Sequence, residues 1–93
     1  MLVGVCRLEL RLLQADSLKD KRRVIKSLRE RWRGRYNLSV AEVDHQDNHK
    51  LATLGLAMVC GQAEPIRRVF DEIIRCLDAQ VEVELLSHQV EFY

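Results

Sequence analysis

The sequence predicts an α+β domain: a four-stranded antiparallel sheet with two helices on one face. Three observations point there. Apolar residues alternate with period two in three stretches, and less regularly in a fourth. They recur at helical spacing in two others, and the six stretches run strand, helix, strand, strand, helix, strand. The 93 residues supply one modest core, so the whole span 1–93 reads as a single domain.

The first stretch, LVGVCRLELRLL, sets Leu2, Cys6, Leu8, Leu10 and Leu12 to one side and Arg7, Glu9 and Arg11 to the other, the signature of a half-buried strand. In DSLKDKRRVIKSLRERWRGRY, Ser17 followed three residues later by Asp20 is an acidic variant of the capping box. Leu18, Val24, Ile25, Leu28 and Trp32 then share one stripe of a helix over residues 18–33, with Gly34 as its stop. NLSVAEVDH and KLATLGLAMVCG read as two strands. The connection between them is too short for a parallel crossover, so they are antiparallel neighbours. EPIRRVFDEIIRCLDAQ is a second helix, with Pro65 in its first turn and Ile66, Val69, Phe70, Ile73 and Leu77 as its apolar stripe. VEVELLSHQVEFY closes the chain as a strand. Its apolar residues fall in both registers, Val83 and Leu85 against Leu86 and Val90, which predicts partial cover on both faces.

With right-handed crossovers, β-α-β-β-α-β is the ferredoxin-like sandwich. The second sheet face then has no helix. It carries Thr53, Ala57 and Val59 beside Arg7, Glu9 and Arg11, a mixed surface suited to a protein interface such as a homodimer.

Composition narrows the classes further. Hydrophobic residues at 47% and charged residues at 31% are the balance of a globular chain. Arg7, Glu9 and Arg11 interrupt the apolar start, excluding a signal-peptide core or membrane span and pointing to the cytoplasm with no membrane partner. Cys6, Cys60 and Cys76 form no CxxC and read as reduced, small apolar residues. The net charge of +1 conceals an asymmetry: residues 1–35 carry eleven basic and four acidic side chains, residues 64–93 three basic and seven acidic. A basic half of this kind suits an anionic partner.

The segment VDHQDNHK, residues 43–50, gathers acids and histidines as no other segment does. Metal binding would use His45 and His49 with Asp44 or Asp47. A His-x-x-x-His pair shares a face only on a helix, however, and His88 is the one further histidine. Catalysis would pair His45 with Asp44 or Asp47, but neighbours on a strand point to opposite faces and no nucleophile lies near in sequence. Asp and Asn favour turns, so the segment reads first as the tip of a hairpin, with no metal, cofactor or enzymatic activity expected.

The first helix carries the stronger functional signal, with nine of the fifteen basic residues between Lys19 and Arg35. At ~100° per residue, Lys19, Arg22, Arg23, Lys26, Arg29 and Arg33 fall on the solvent side, joined there only by Glu30. The second helix spaces its charges for i, i+4 pairing, as Glu64–Arg68 and Asp71–Arg75, with Arg67–Asp71 in the weaker orientation. A basic row suits phosphate contact, and the nucleic-acid-binding set predicted is Lys19, Lys21, Arg22, Arg23, Lys26, Arg29 and Arg33. Within that set Lys21 stands apart. It falls within ~20° of Leu28, inside the apolar stripe, where it either snorkels over the sheet edge or reaches a carboxylate such as Glu42 or Asp44.

Related functions of this topology lack their markers here. The first and third strands have no aromatic residue of the kind that stacks RNA bases. LLQADSLKD has no glycine for an acylphosphatase-type anion loop, nor a CxxC for metal transfer. MLVGVCRLELRL, SLKDKRRVIKSLRERWRGRYNLSVAEVDHQD and ATLGLAMVCG together resemble the YlxP-like family, a small bacterial family of unknown function, over essentially the whole chain. After HQD this chain reads NHKLATLG where relatives often carry a tryptophan-glutamine segment, which removes an aromatic from the hairpin tip. The resemblance implies a ferredoxin-like fold without catalytic activity. It also implies an association with ribosome assembly or translation, through gene neighbourhood, and hence ribosomal RNA or a ribosomal particle as partner.

Overall fold

In the computed structural model, which describes residues 1–93, the alternating first stretch becomes an inner strand of the sheet. The elements are β1 (Leu2–Leu12), α1 (Leu18–Arg35), β2 (Ser39–Asp44), β3 (Leu51–Cys60), α2 (Ala63–Asp78) and β4 (Val83–Phe92). The sheet order is β2-β3-β1-β4 and every neighbouring pair is antiparallel. β1 therefore has hydrogen-bonded partners on both sides, which suits the most regularly alternating strand.

The even-numbered residues of β1 and β3 form the floor of the core. Cys6, Leu8, Leu10 and Leu12 lie with Ala52, Leu54 and Leu56 in one buried cluster. Ile25, Leu28 and Trp32 of α1 and Ile66, Phe70, Ile73 and Leu77 of α2 complete it. Both helices thus cover the same sheet face, and the odd-numbered residues face outward. Cys6 is inert in this setting, its thiol pushed up to about 11 by burial.

The Ser17 cap forms as the sequence predicts: its side chain accepts from the Asp20 N–H at 3.1 Å. The Asp20 carboxylate reaches back to the Asp16 N–H at 3.1 Å, one residue before the usual capping-box partner. Gly34 does not end α1. The helix runs on to Arg35 and is closed by Tyr36 N–H donating to the Trp32 carbonyl at 2.8 Å. A helical glycine costs only about 1 kcal/mol, and buried Trp32 anchors that last turn.

The two apolar registers of β4 have a different cause from partial cover on both faces. Its pairing with β1 shifts by one residue: Glu9 faces Ser87 but Leu10 faces Leu85. Leu86 is the extra residue of a bulge, 43% exposed. Val83 and Leu85 before the bulge, and Val90 and Phe92 after it, all oppose even residues of β1 and so lie on the helix side.

Gly4 sets how closely α2 approaches the sheet. A Cβ there would stand 2.2 Å from Ile66 Cγ2 and 3.2 Å from Phe70 Cε2. Gly4→Ala is therefore expected to lower stability by about 1–3 kcal/mol through overpacking. Gly61→Ala, where a Cβ meets nothing within 4 Å, serves as the neutral control. Urea unfolding of the two variants checks this, and equal midpoints would remove the close approach as a constraint.

Candidate functional site

Lys21, in the second turn of α1, is fully buried. Its ammonium meets three acceptors: Glu42 Oε2 at 2.6 Å, the His45 carbonyl at 2.7 Å and the Leu51 carbonyl at 3.0 Å. The two carbonyls accept hydrogen bonds, while Glu42 supplies the opposing charge without a third hydrogen bond, its buried Oε2 having no hydrogen-bond donor. Without them, a charge removed from water would cost several kcal/mol. The first prediction for Lys21, contact with phosphate, is thereby corrected: the side chain has no solvent exposure and its charge faces Glu42. Its alternative, an ion pair to Glu42, is what forms.

The pair is possible because a second irregularity aligns the AEVDHQD segment. Glu42 opposes Leu54 on the helix side of the sheet, whereas Asp44 opposes Thr53 on the open side, since the register shifts between them. One strand end thus sends one carboxylate to each face. Beyond it, His45 adopts a left-handed backbone at φ 61°, costing a non-glycine residue roughly 1–2 kcal/mol. That turn is held from several sides. The Asp44 carboxylate accepts the His45 N–H at 2.8 Å, and the His45 carbonyl accepts from both Lys21 and the Asn48 N–H, the latter at 3.0 Å. Asn48 Oδ1 takes the N–H groups of Lys50 and Leu51 at 2.8 and 3.2 Å. VDHQDNHK is a self-bonded loop pinned from beneath by Lys21. No group of three His, Cys, Asp or Glu side chains in the chain is arranged to hold a metal ion.

On the open face, Thr53 is fully buried beneath the side chains around it. Its hydroxyl donates to Glu9 Oε2 at 2.6 Å, and Arg7 Nε donates to Glu9 Oε1 at 2.9 Å. Arg7 also lies 3.7 Å from the Asp44 carboxylate. The Thr53 bond, reinforced by Arg7 and His45 against partial desolvation, holds Glu9 below the usual carboxylate range. Sequence alternation placed Arg7 and Glu9 on this face. It could not place Asp44 beside them, because the register shift has no sequence mark.

Of the basic set on α1, Lys19, Arg22, Arg23, Lys26 and Arg33 are exposed and Arg29 is half-buried. Arg23 pairs with Asp20 at 3.1 Å, and Lys26 reaches Glu30 only at 4.0 Å, both of these last side chains two-thirds exposed. Lys19, Arg22, Arg29 and Arg33 have no carboxylate within 4.0 Å. The pairs read for α2 do not close. Arg75 Nε instead points to the Asp71 carbonyl at 3.4 Å, and Arg67 lies 4.9 Å from the centre of the Phe92 ring. Flexible exposed side chains gain little from pairing, so the spacing that allows it does not enforce it. Arg31 and Arg35 lay outside the predicted set. They flank the apolar stripe, ~300° and ~340° round from Leu28, and lean toward α2.

Fold and site together define a small ferredoxin-like α+β domain with one buried charge under its β2–β3 hairpin and a basic helix on its surface. The chain belongs to the family described as protein of unknown function (DUF503), whose model matches residues 3–90. It is 25% identical, over 92 residues covering 99% of this chain and 100% of the relative, to the uncharacterized protein YlxP of Bacillus subtilis (strain 168). Among solved structures it resembles the de novo designed protein Foldit4, with TM-score 0.58 and 19% identity over 98% of this chain and 96% of the other. It also resembles LFR1 1, a de novo designed protein with a ferredoxin fold, with TM-score 0.57 and 12% identity over 100% and 84%. These likenesses show the ferredoxin fold.

Lys21→Met leaves the Glu42 carboxylate and the Leu51 carbonyl without their shared donor, and is expected to cost about 3–5 kcal/mol in urea unfolding. Adding Glu42→Leu removes the stranded carboxylate, so the double variant should recover part of the loss while staying below wild type. Equal losses in the single and double variants would show that Glu42 is not the partner that matters.

Proposed function

We propose that the protein is a non-enzymatic accessory factor of ribosome assembly or translation, binding structured RNA or a ribosomal particle through the exposed face of α1. The observation that carries this is the row Lys19, Arg22, Arg23, Lys26, Arg29 and Arg33, only two of which have a carboxylate partner. From Lys19 to Arg33 the row covers about 21 Å of helix axis, a length that spans several phosphates. Lys21 contributes indirectly. By tying the start of α1 to the β2–β3 hairpin it fixes the orientation in which the row meets a partner. Backbone phosphates are the natural ligands, because the row offers charge without the aromatic platforms that read bases. The ribosomal assignment rests on family resemblance, the RNA-binding surface on charge geometry. No helix is long and apolar enough to cross a membrane, so α1 is not assigned to that role.

Co-sedimentation with ribosomal particles from lysate at two salt concentrations tests the proposal. Wild type should associate, more weakly at the higher salt, and Arg22→Glu/Arg23→Glu/Lys26→Glu should lose association while keeping its circular dichroism and melting midpoint. Retained association in the triple variant overturns the role of α1.

A homodimer through the open sheet face has one specific observation in its favour. Val43 and Val59 are 48% and 55% exposed there, near Gly55 and Ala57. Sedimentation equilibrium would then show a dimer that Val59→Lys dissociates. A monomer at every concentration removes this second reading, and the two functions are compatible.

A further inference from the structure

A cleft of about 350 Å³ lies between the C-terminal halves of α1 and α2. Arg31, Arg35 and Arg75 surround it, with Trp32, Tyr36 and Glu72 among its walls. The three arginines are exposed, and their charges are largely unmatched by acids. None of the three guanidinium groups has a carboxylate within 4.0 Å. Arg31 Nη1 reaches only the Cys76 sulfur, a weak acceptor, at 3.7 Å, and Arg75 Nε makes a long bond of 3.4 Å to the Asp71 carbonyl. Arg35 sits 5.5 Å from the centre of the Tyr36 ring.

The acceptor side is nearly empty. Glu72 is the one acid lining the cleft, and it already accepts the Tyr36 hydroxyl at 2.7 Å. That bond, after burial, is what raises Tyr36 above its ordinary value. Trp32 is 1% exposed, and its buried indole N–H, which can only donate, has no acceptor.

Three arginines from two helices, facing one acid that is already engaged, favour a partner that is anionic and rich in acceptors. A phosphoryl group has both properties: its oxygens match the planar fork of arginine, and a single group can receive several donors at once. The cleft lies at the lower end of the range for small-molecule sites, with room for a phosphate and a compact organic body. We propose that this cleft binds a small phosphate monoester, its phosphoryl group held by Arg31, Arg35 and Arg75. The site lies on the flank of α1 that faces α2, apart from the solvent-side row, and does not rest on RNA binding by that row.

Trp32 is the only tryptophan, so its fluorescence in the intact protein reports on the cleft directly. Ribose 5-phosphate, inorganic phosphate, ribose and sodium chloride of matched ionic strength are titrated in turn. Ribose 5-phosphate should give a saturable change in emission, with inorganic phosphate weaker and ribose and chloride without effect. Arg31→Gln/Arg75→Gln should raise the apparent Kd by roughly tenfold or more, as expected when charged hydrogen bonds to the ligand are lost, with an unchanged melting midpoint. Equal affinity for inorganic phosphate and the sugar phosphate overturns the monoester assignment, the bare anion then being the ligand. Absence of a saturable response to either phosphate overturns the proposal. So does an unaltered Kd in the double variant, which would place the bound anion elsewhere.

Discussion

One buried ammonium fixes where α1 sits against the β2–β3 hairpin. Lys21 joins a helix to both ends of a loop, taking a carboxylate from β2 and carbonyls from His45 and Leu51. Apolar packing is non-directional and would accept several placements of α1 over the sheet. Three acceptors converging within 3.0 Å accept one. The cost of desolvating the charge makes alternatives unfavourable, because any shift of α1 strands it. Directional constraint of this sort suits a protein whose basic helix is its most distinctive surface.

The charge asymmetry of the chain finds its structural meaning in α1, which faces three environments at once. One side enters the core through Ile25, Leu28 and Trp32, with Lys21 among them. The opposite side carries the solvated basic row. Between them, toward α2, stand Arg31 and Arg35, met by a further arginine and by a single acid, Glu72, that Tyr36 already engages. The acidic second half of the chain neutralises the total without neutralising these surfaces, so a net charge of +1 says little about what a partner encounters.

Much of this was legible before any coordinates. Period-two alternation in β1 and β3, the Ser17 cap and the two apolar stripes gave the element order, because each is a local pattern with a local cause. Lys21 was conspicuous for the same reason: a lysine inside an apolar stripe demands a partner, and Glu42 was within the candidate set. Two one-residue irregularities were not legible. The shift near Val43 sends Glu42 and Asp44 to opposite faces, and the bulge at Leu86 reconciles the two registers of β4. Both depend on what the neighbouring strand does, which no window of a few residues contains. Gly34 misled because a strong stop signal was weighed without the buried tryptophan two residues before it. The cleft was invisible because its arginines come from two helices, and only their meeting shows that one acid, already engaged by Tyr36, accompanies them.

The bulge at Leu86 also bears on how the molecule behaves in a crowded solution. β4 lies at the margin of the sheet, ten residues long, with neither proline nor lysine to discourage another chain from pairing with it. An uninterrupted strand of that length would be an open template for intermolecular β-addition and, from there, aggregation. One inserted residue breaks the regular spacing of its unpaired N–H and C=O groups and increases the local twist. Deleting it would align the apolar residues of β4 more simply, yet expose a straight, adhesive margin. The irregularity that looks like a packing defect thus acts as protection for the sheet's free edge.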